Sequence, residues 1–330
     1  MGISNNQRVP TYSNIHYHYI LEPKNKLSLL SNWDGPDYLG IVKSGYHSLF
    51  QANFFPGYPI VIWLVNRIIP SLLDSALIVA WLSLVVAIYY YIQIVNYLFK
   101  TDFINKIRAV LFFLLFPAGI FLVATYSESL YAALALAGIY YTFKKQYLKV
   151  AILMAFCTAT HITGVFVLAL ILLMMKEQKE AITKILGVSL IGALGIIGYM
   201  IYCQIKFRDA LAFIKSQTDI HGWIQHSWLH LITTVDLLNV ILIVLLIFTA
   251  IYWWQKRRSF SLYSLMFLLI PAVGHQYGGF NRYVLMAFPL QLMAFEVLRK
   301  KTDLLYLTLI VMSSVWAYLV VQYVGGYIGS

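Results

Sequence analysis

The stretch LKVAILMAFCTATHITGVFVLALILLMM, residues 148–175, decides how the chain is threaded. Taken whole, it is one apolar crossing. Broken at His161, it is two short crossings, and everything downstream changes side. The basic links at 100–108, 144–149, 176–184, 255–258 and 299–301 choose between these readings. Short loops rich in Lys and Arg stay on the cytoplasmic face. With the break, all five links share that face; without it, the link at 176–184 is stranded on the other.

Composition agrees with a membrane fold. Of 330 residues, 61% are hydrophobic and 11% charged, and the mean hydropathy is +0.74, too apolar for a water-soluble domain. The net charge of +11 then reads as topology rather than nucleic-acid binding, because the cations sit in short links without an RNA-binding signature. Tyr89, Tyr90, Tyr91, Trp253 and Trp254 fall at ends of apolar runs, where amphipathic rings favour the headgroup level. Cys157 and Cys203 lie inside apolar stretches and read as small core residues rather than a disulfide or metal knuckle.

A helical crossing takes about 20 apolar residues, fewer where helices break inside protein. The expectation is an all-α polytopic protein with about ten passages, at 75–99, 107–125, 128–143, 148–160, 162–175, 184–206, 236–254, 259–274, 283–298 and 303–326. Residues 1–30 read as a polar N-terminal tail without a secretory signal peptide, and 31–330 as a single transmembrane domain whose first outer loop covers 31–73. Within that loop FFPGYPIVIWLVNRIIP, residues 54–70, is too punctuated by proline to span and reads as an interfacial or re-entrant helix.

The polar exceptions collect on the face opposite the basic links: SNWDGPDY at 31–38, TYSES at 125–129, THITG at 160–164, the loop at 207–235 and GHQYGGFNRY at 274–283. Gly35-Pro36 favours a turn that brings Asp34 and Asp37 together, fenced by Trp33, Tyr38 and Tyr46. These acids either cap a helix beginning near Tyr38 or supply a general base, since an acid desolvated beside a like charge has a raised pKa. Glu128 either favours the N-terminal end of a helix capped by Ser127 or is a functional ionisable group at membrane depth, beside Tyr126. Arg282 either snorkels or holds a phosphate bidentately, with His275 and Gln276 in reach. His161 is either a substrate ligand or a satisfied polar group in a broken helix. His226 and His230 have the i, i+4 spacing of a metal pair, but with His221, Trp223 and Trp228 they read better as interfacial packing. No metal is expected on these grounds. There is no DxD pair, P-loop, GxSxG or HExxH, so nothing is built to hold a nucleotide.

Taken in order, Trp33-Asp34 with Tyr38 and Tyr46, FFPGYP at 54–59, FPAGIFLVATYSESLY at 116–131, ATHITG at 159–164, RDALAFIKSQ at 208–217 and NRYVLMAFPL at 281–290 resemble the GPI second-mannose transferase family, PIG-V, and its prokaryotic relatives. The resemblance implies a GT-C membrane glycosyltransferase. Such enzymes take mannose from a polyprenyl-phosphate carrier, work on the non-cytoplasmic face and invert the sugar carbon. His161 stands where the family has arginine, and the element at 209–213 lacks its proline.

On this reading Asp34 matches the motif acid and is the expected base, with Asp37 orienting it or binding sugar. Arg282 is the first candidate for the leaving phosphate and Arg208 and Lys215 the second, with His275 as helper. Trp33, Tyr38, Tyr126, Glu128 and His161 complete the substrate-binding set. The expected donor is a polyprenyl-phosphate hexose, the acceptor a lipid or glycolipid hydroxyl as in GPI-anchor assembly, and the location a bacterial cytoplasmic membrane, or the endoplasmic reticulum in a eukaryote. The sequence also allows a transporter or flippase of lipid-linked sugars.

Overall fold

The computed structural model describes residues 26–216, 237–270 and 279–325. Within them the chain is helical, with no strand. The order is α1 (Asp34–Ser44), α2 (Gly57–Asn66), α3 (Leu72–Phe99), α4 (Phe103–Leu114), α5 (Glu128–Phe143), α6 (Tyr147–Thr160), α7 (Gly164–Glu177), α8 (Ile182–Gly192), α9 (Leu194–Phe207), α10 (Ala212–Lys215), α11 (Leu237–Trp254), α12 (Arg258–Met266), α13 (Phe280–Val284), α14 (Phe288–Leu298) and α15 (Thr302–Gly325).

Four segments are long and apolar enough to cross a bilayer: α3, the consecutive α8 and α9, α11, and α15. The ten full passages expected from hydropathy are therefore not all present as spanning helices. The passage at 107–125 stops at Leu114 and continues as loop and a short 3-10 turn, Gly119–Leu122, because Pro117 lacks the amide donor that a helix interior needs. The passage at 283–298 divides into α13 and α14, with Pro289 in the first turn of the latter, a position where the missing N–H has no helical partner anyway. The passage at 259–274 is helical as α12 only to Met266.

The break at His161 is present. Its backbone turns extended after α6 (φ −153°, ψ 144°), and α7 begins three residues later. Around that break α5 packs on α3, α6 and α7, while α6 also packs on α8 and α9. The ten-residue α2 is about 15 Å long, half a bilayer core. It buries Tyr58 and Ile62 but exposes Ile60, Trp63 and Leu64, and Arg67 lies 4.4 Å from the Trp63 ring.

All five basic links meet at one end of the bundle. Lys145 and Lys184 share the Glu180 carboxylate at 2.8 and 2.9 Å. Glu177 accepts from the Ser259 amide at 2.6 Å. Arg257 stands over Phe143 and Arg299 over Phe99, and Lys256 pairs with Glu296. The ends of α5, α6, α7 and α15 remote from these links carry the polar residues described next.

Candidate active site

The site is assembled by α1, the loop before α5, the break at His161, α13 and the far end of α15. The expected turn between Asp34 and Asp37 is absent: α1 starts at Asp34 and includes both acids in its first turn. Pro36 is tolerated there because first-turn amides lack intrahelical acceptors. Gly35 is required for a different reason. A Cβ at that position would meet Ser31 Oγ at 2.6 Å and would also overlap the Thr125 hydroxyl, so only glycine lets α1 lie against the loop before α5.

Trp33, just before α1, has φ 60° and ψ −111°, a conformation costing a non-glycine residue on the order of 1–3 kcal/mol. Hydrogen bonds on both sides hold it. The Tyr126 hydroxyl accepts from the Asp34 amide at 3.1 Å and donates to the Asn32 carbonyl at 3.3 Å. From α15, the Tyr323 hydroxyl reaches the Asn32 and Leu30 carbonyls at 3.2 and 3.3 Å, and Asn32 Nδ2 donates back to the Tyr323 carbonyl at 3.0 Å. Asp34 is thus fixed at its backbone by two tyrosines.

Its side chain is fixed by Arg282. Nη1 donates to Asp34 Oδ2 at 2.6 Å, and Nε lies 3.1 Å from Glu128 Oε1, an ion pair by distance whose angle is too poor for a hydrogen bond. The three side chains are 19%, 12% and 3% exposed for Asp34, Arg282 and Glu128. Rings of Tyr126, Tyr283 and Phe121 surround the guanidinium at 5.4, 5.6 and 5.7 Å. Arginine carries five N–H donors in a rigid fork; among the described residues Nη2 has no hydrogen-bond partner. Glu128 Oε2 and Trp33 Nε1 are likewise buried without a partner among them. One acceptor and several donors thus stand ready for a polar ligand in an apolar wall.

The other predicted residues separate into two sets. Asp37 is buried, and burial first, then the Asp34 charge, pushes its carboxyl up to about 8; the raised pKa expected from neighbouring acids is found here. Tyr38 is committed to structure: its hydroxyl donates to Ser127 Oγ at 2.9 Å and its ring packs edge-on to Tyr58 and Phe54. That bond also corrects the capping role expected of Ser127, which makes no side-chain cap to α5. His161 stacks on Tyr131 at 5.0 Å and meets Tyr283 edge-on at 5.7 Å. Its Nδ1 accepts from the Thr163 amide at 3.2 Å, so Nε2 carries the proton. Burial, then the Arg282 charge, lowers its pKa to about 3, keeping the imidazole neutral.

Arg208 and Lys215 are not brought to this cluster. Arg208 is exposed in a left-handed conformation at the end of α9, and Lys215 on α10 faces Asp209 at 3.9 Å, where α10 packs on the turn Phe50–Asn53. His275, Gln276, His221, His226 and His230 lie outside the described residues. Among those described, no three His, Cys, Asp or Glu side chains are grouped to hold a metal ion. The reading from sequence missed Asn32 and Tyr323. The tyrosine sits in an apolar terminal helix with no local mark of its role.

The family described as Mannosyltransferase (PIG-V) matches residues 21–186, which include Trp33, Asp34, Tyr126, Glu128 and His161. Comparison with curated proteins gives no match. An apolar helical bundle with buried acids at one end is what an integral membrane glycosyltransferase acting on lipid-linked sugars requires, and the chain belongs to the mannosyltransferase (PIG-V) family.

Proposed function

We propose that the protein transfers a hexose, mannose first, from a polyprenyl-phosphate carrier to a hydroxyl of a lipid-linked or glycolipid acceptor. The reaction takes place on the non-cytoplasmic face and inverts the sugar carbon. The observation that carries this reading is Arg282 held between Asp34 and Glu128, at the end of the bundle remote from the basic links. In the positive-inside sense, that end faces outward. The apolar outer face of α2 then rests in the outer leaflet, with Arg67 reaching water beside Trp63.

Asp34 takes the proton of the acceptor hydroxyl as its oxygen attacks C1. The C1–O bond to the carrier breaks on the opposite side, and its electrons leave with the lipid phosphate. Proton abstraction of this kind contributes typically about 10²–10⁴-fold. The growing phosphate charge is met by the Arg282 edge not committed to Asp34, in surroundings of low polarity where such a charge-assisted bond is strong. Glu128 Oε2 and Trp33 Nε1, both lacking described partners, hold sugar hydroxyls. Asp37, a neutral acid below about pH 8, donates to the acceptor or steadies Asp34. Neutral His161 offers an Nε2 donor and no charge.

The test is transfer in detergent from labelled polyprenyl-phosphate mannose to a membrane lipid extract, comparing wild type with Asp34→Asn of equal thermal midpoint. Label should move to a new lipid product with wild type and fall by at least about a hundredfold with the variant. Equal transfer by both would remove Asp34 as base. No transfer by either, with label instead crossing liposomes, would turn the reading to a flippase.

A further inference from the structure

The basic end holds a cleft of 660 Å³ between the end of α7 and the link joining α11 to α12, lined by Glu177, Gln178, Trp254, Lys256, Arg257 and Arg258 among others. Its charges are unevenly matched. Glu177 is occupied by the Ser259 amide at 2.6 Å and the Ser259 hydroxyl at 2.7 Å, which caps α12. Lys256 is occupied by Glu296 at 3.3 Å and by the Tyr252 hydroxyl at 2.6 Å. Arg257 and Arg258 face no acid among the described residues. Arg257 instead stands 5.1 Å from the Phe143 ring and Arg258 5.5 Å from the Trp254 ring.

Placement over a ring engages the flat face of a guanidinium and leaves its N–H edge available, the edge that matches phosphate oxygens two at a time. Two such groups at consecutive positions beside a cleft form a phosphate-recognition pair. Topology alone asks only for cations in the link; it asks neither for a cleft nor for rings that orient them.

The surroundings indicate where the phosphate comes from. Trp254 is 48% exposed, and above it α11 turns Ile251, Phe248, Ile247 and Val244 outward. That apolar strip ends at the mouth of the cleft. An acyl chain lying on it would deliver its headgroup to Arg257 and Arg258, with Trp254 at the boundary that indole rings favour. We propose that this cleft binds the phosphate headgroup of an anionic phospholipid of the same membrane, with its chains along α11. The site is separate from the Asp34 cluster and does not depend on the transferase reading.

Native mass spectrometry of the full chain, released from nanodiscs of phosphatidylglycerol and phosphatidylcholine, tests it. Wild type should retain phosphatidylglycerol in preference to phosphatidylcholine. Arg257→Gln with Arg258→Gln should weaken retention at least about tenfold, a 1.4 kcal/mol difference, whereas Lys300→Gln with Lys301→Gln, the same charge removed from another basic link, should leave it unchanged. Should the glutamine pair not fold, Arg257→Lys with Arg258→Lys keeps the charge and removes the fork, and retention should still fall. Equal loss in the arginine and lysine pairs would reduce the effect to general charge and overturn the proposal. So would inorganic phosphate binding lipid-free protein with the same arginine dependence and displacing the lipid, since the site would then serve a soluble anion.

Discussion

Two charge triads sit at opposite ends of the bundle with inverted signs. At one end Arg282 lies between Asp34 and Glu128, at 2.6 and 3.1 Å. At the other, Glu180 lies between Lys145 and Lys184, at 2.8 and 2.9 Å. The distances are alike; the surroundings are not. The lysine side chains are 59% and 54% exposed, so water and salt screen them and their pairing adds little. The acids around Arg282 are enclosed, and one charge among three is left over in an apolar wall. Charges desolvated to that degree are tolerated only when strongly coupled, and they mark function far more often than fold.

Substitutions can break or sharpen this contrast. The largest effect should come from Arg282→Gln, which leaves two carboxylates facing each other. Breaking a buried pair this way costs about 3–5 kcal/mol, so the thermal midpoint in detergent should drop steeply and transfer should vanish. Adding Glu128→Gln should recover most of the midpoint and none of the transfer. Next in size is Tyr323→Phe. Losing a hydroxyl that fixes the Asn32 and Leu30 carbonyls removes about 0.5–1.5 kcal/mol, read as a roughly three- to tenfold fall in kcat with KM unchanged.

Asp37 should appear in the pH dependence of stability. Its pKa is raised by folding, so the native state keeps a proton that the unfolded chain loses. Stability should therefore decline as pH rises from the ordinary 3.8 to about 8 and then level off. Asp37→Asn should flatten that part of the midpoint–pH curve. Smallest of all should be Glu180→Gln, with no measurable change in midpoint or transfer. An effect comparable to that of Arg282→Gln would mean that the two triads are not different in kind.

Much of this was legible in the chain itself. The break at His161 could be read because charge in the links at 144–149 and 176–184 admits no other threading, and Asp34, Glu128 and Arg282 stood out as ionisable groups beside apolar runs. What misled was apolar composition taken as helix. Residues 115–127 are apolar enough to cross a bilayer, yet Pro117 breaks them into a buried loop whose polar groups find partners, such as Thr125 on the Leu30 carbonyl and Ser31 hydroxyl. Tyr323 was not legible, because its role exists only where the end of α15 meets residues 30–32. Arg208 and Lys215 were the converse error: their charge was visible, while their distance from the site is set by how α9 and α10 pack.

The tie between Asn32 and Tyr323 joins residues 291 positions apart. Translation runs from one end of the chain to the other, so the loop carrying Asp34 leaves the ribosome long before the helix that holds it in place. Until α15 has been made and seated, the carboxylate lacks one of the two tyrosines that fix its backbone. Activity therefore arrives with the final helix, and a nascent chain that has already bound a costly lipid-linked sugar has no finished site in which to waste it.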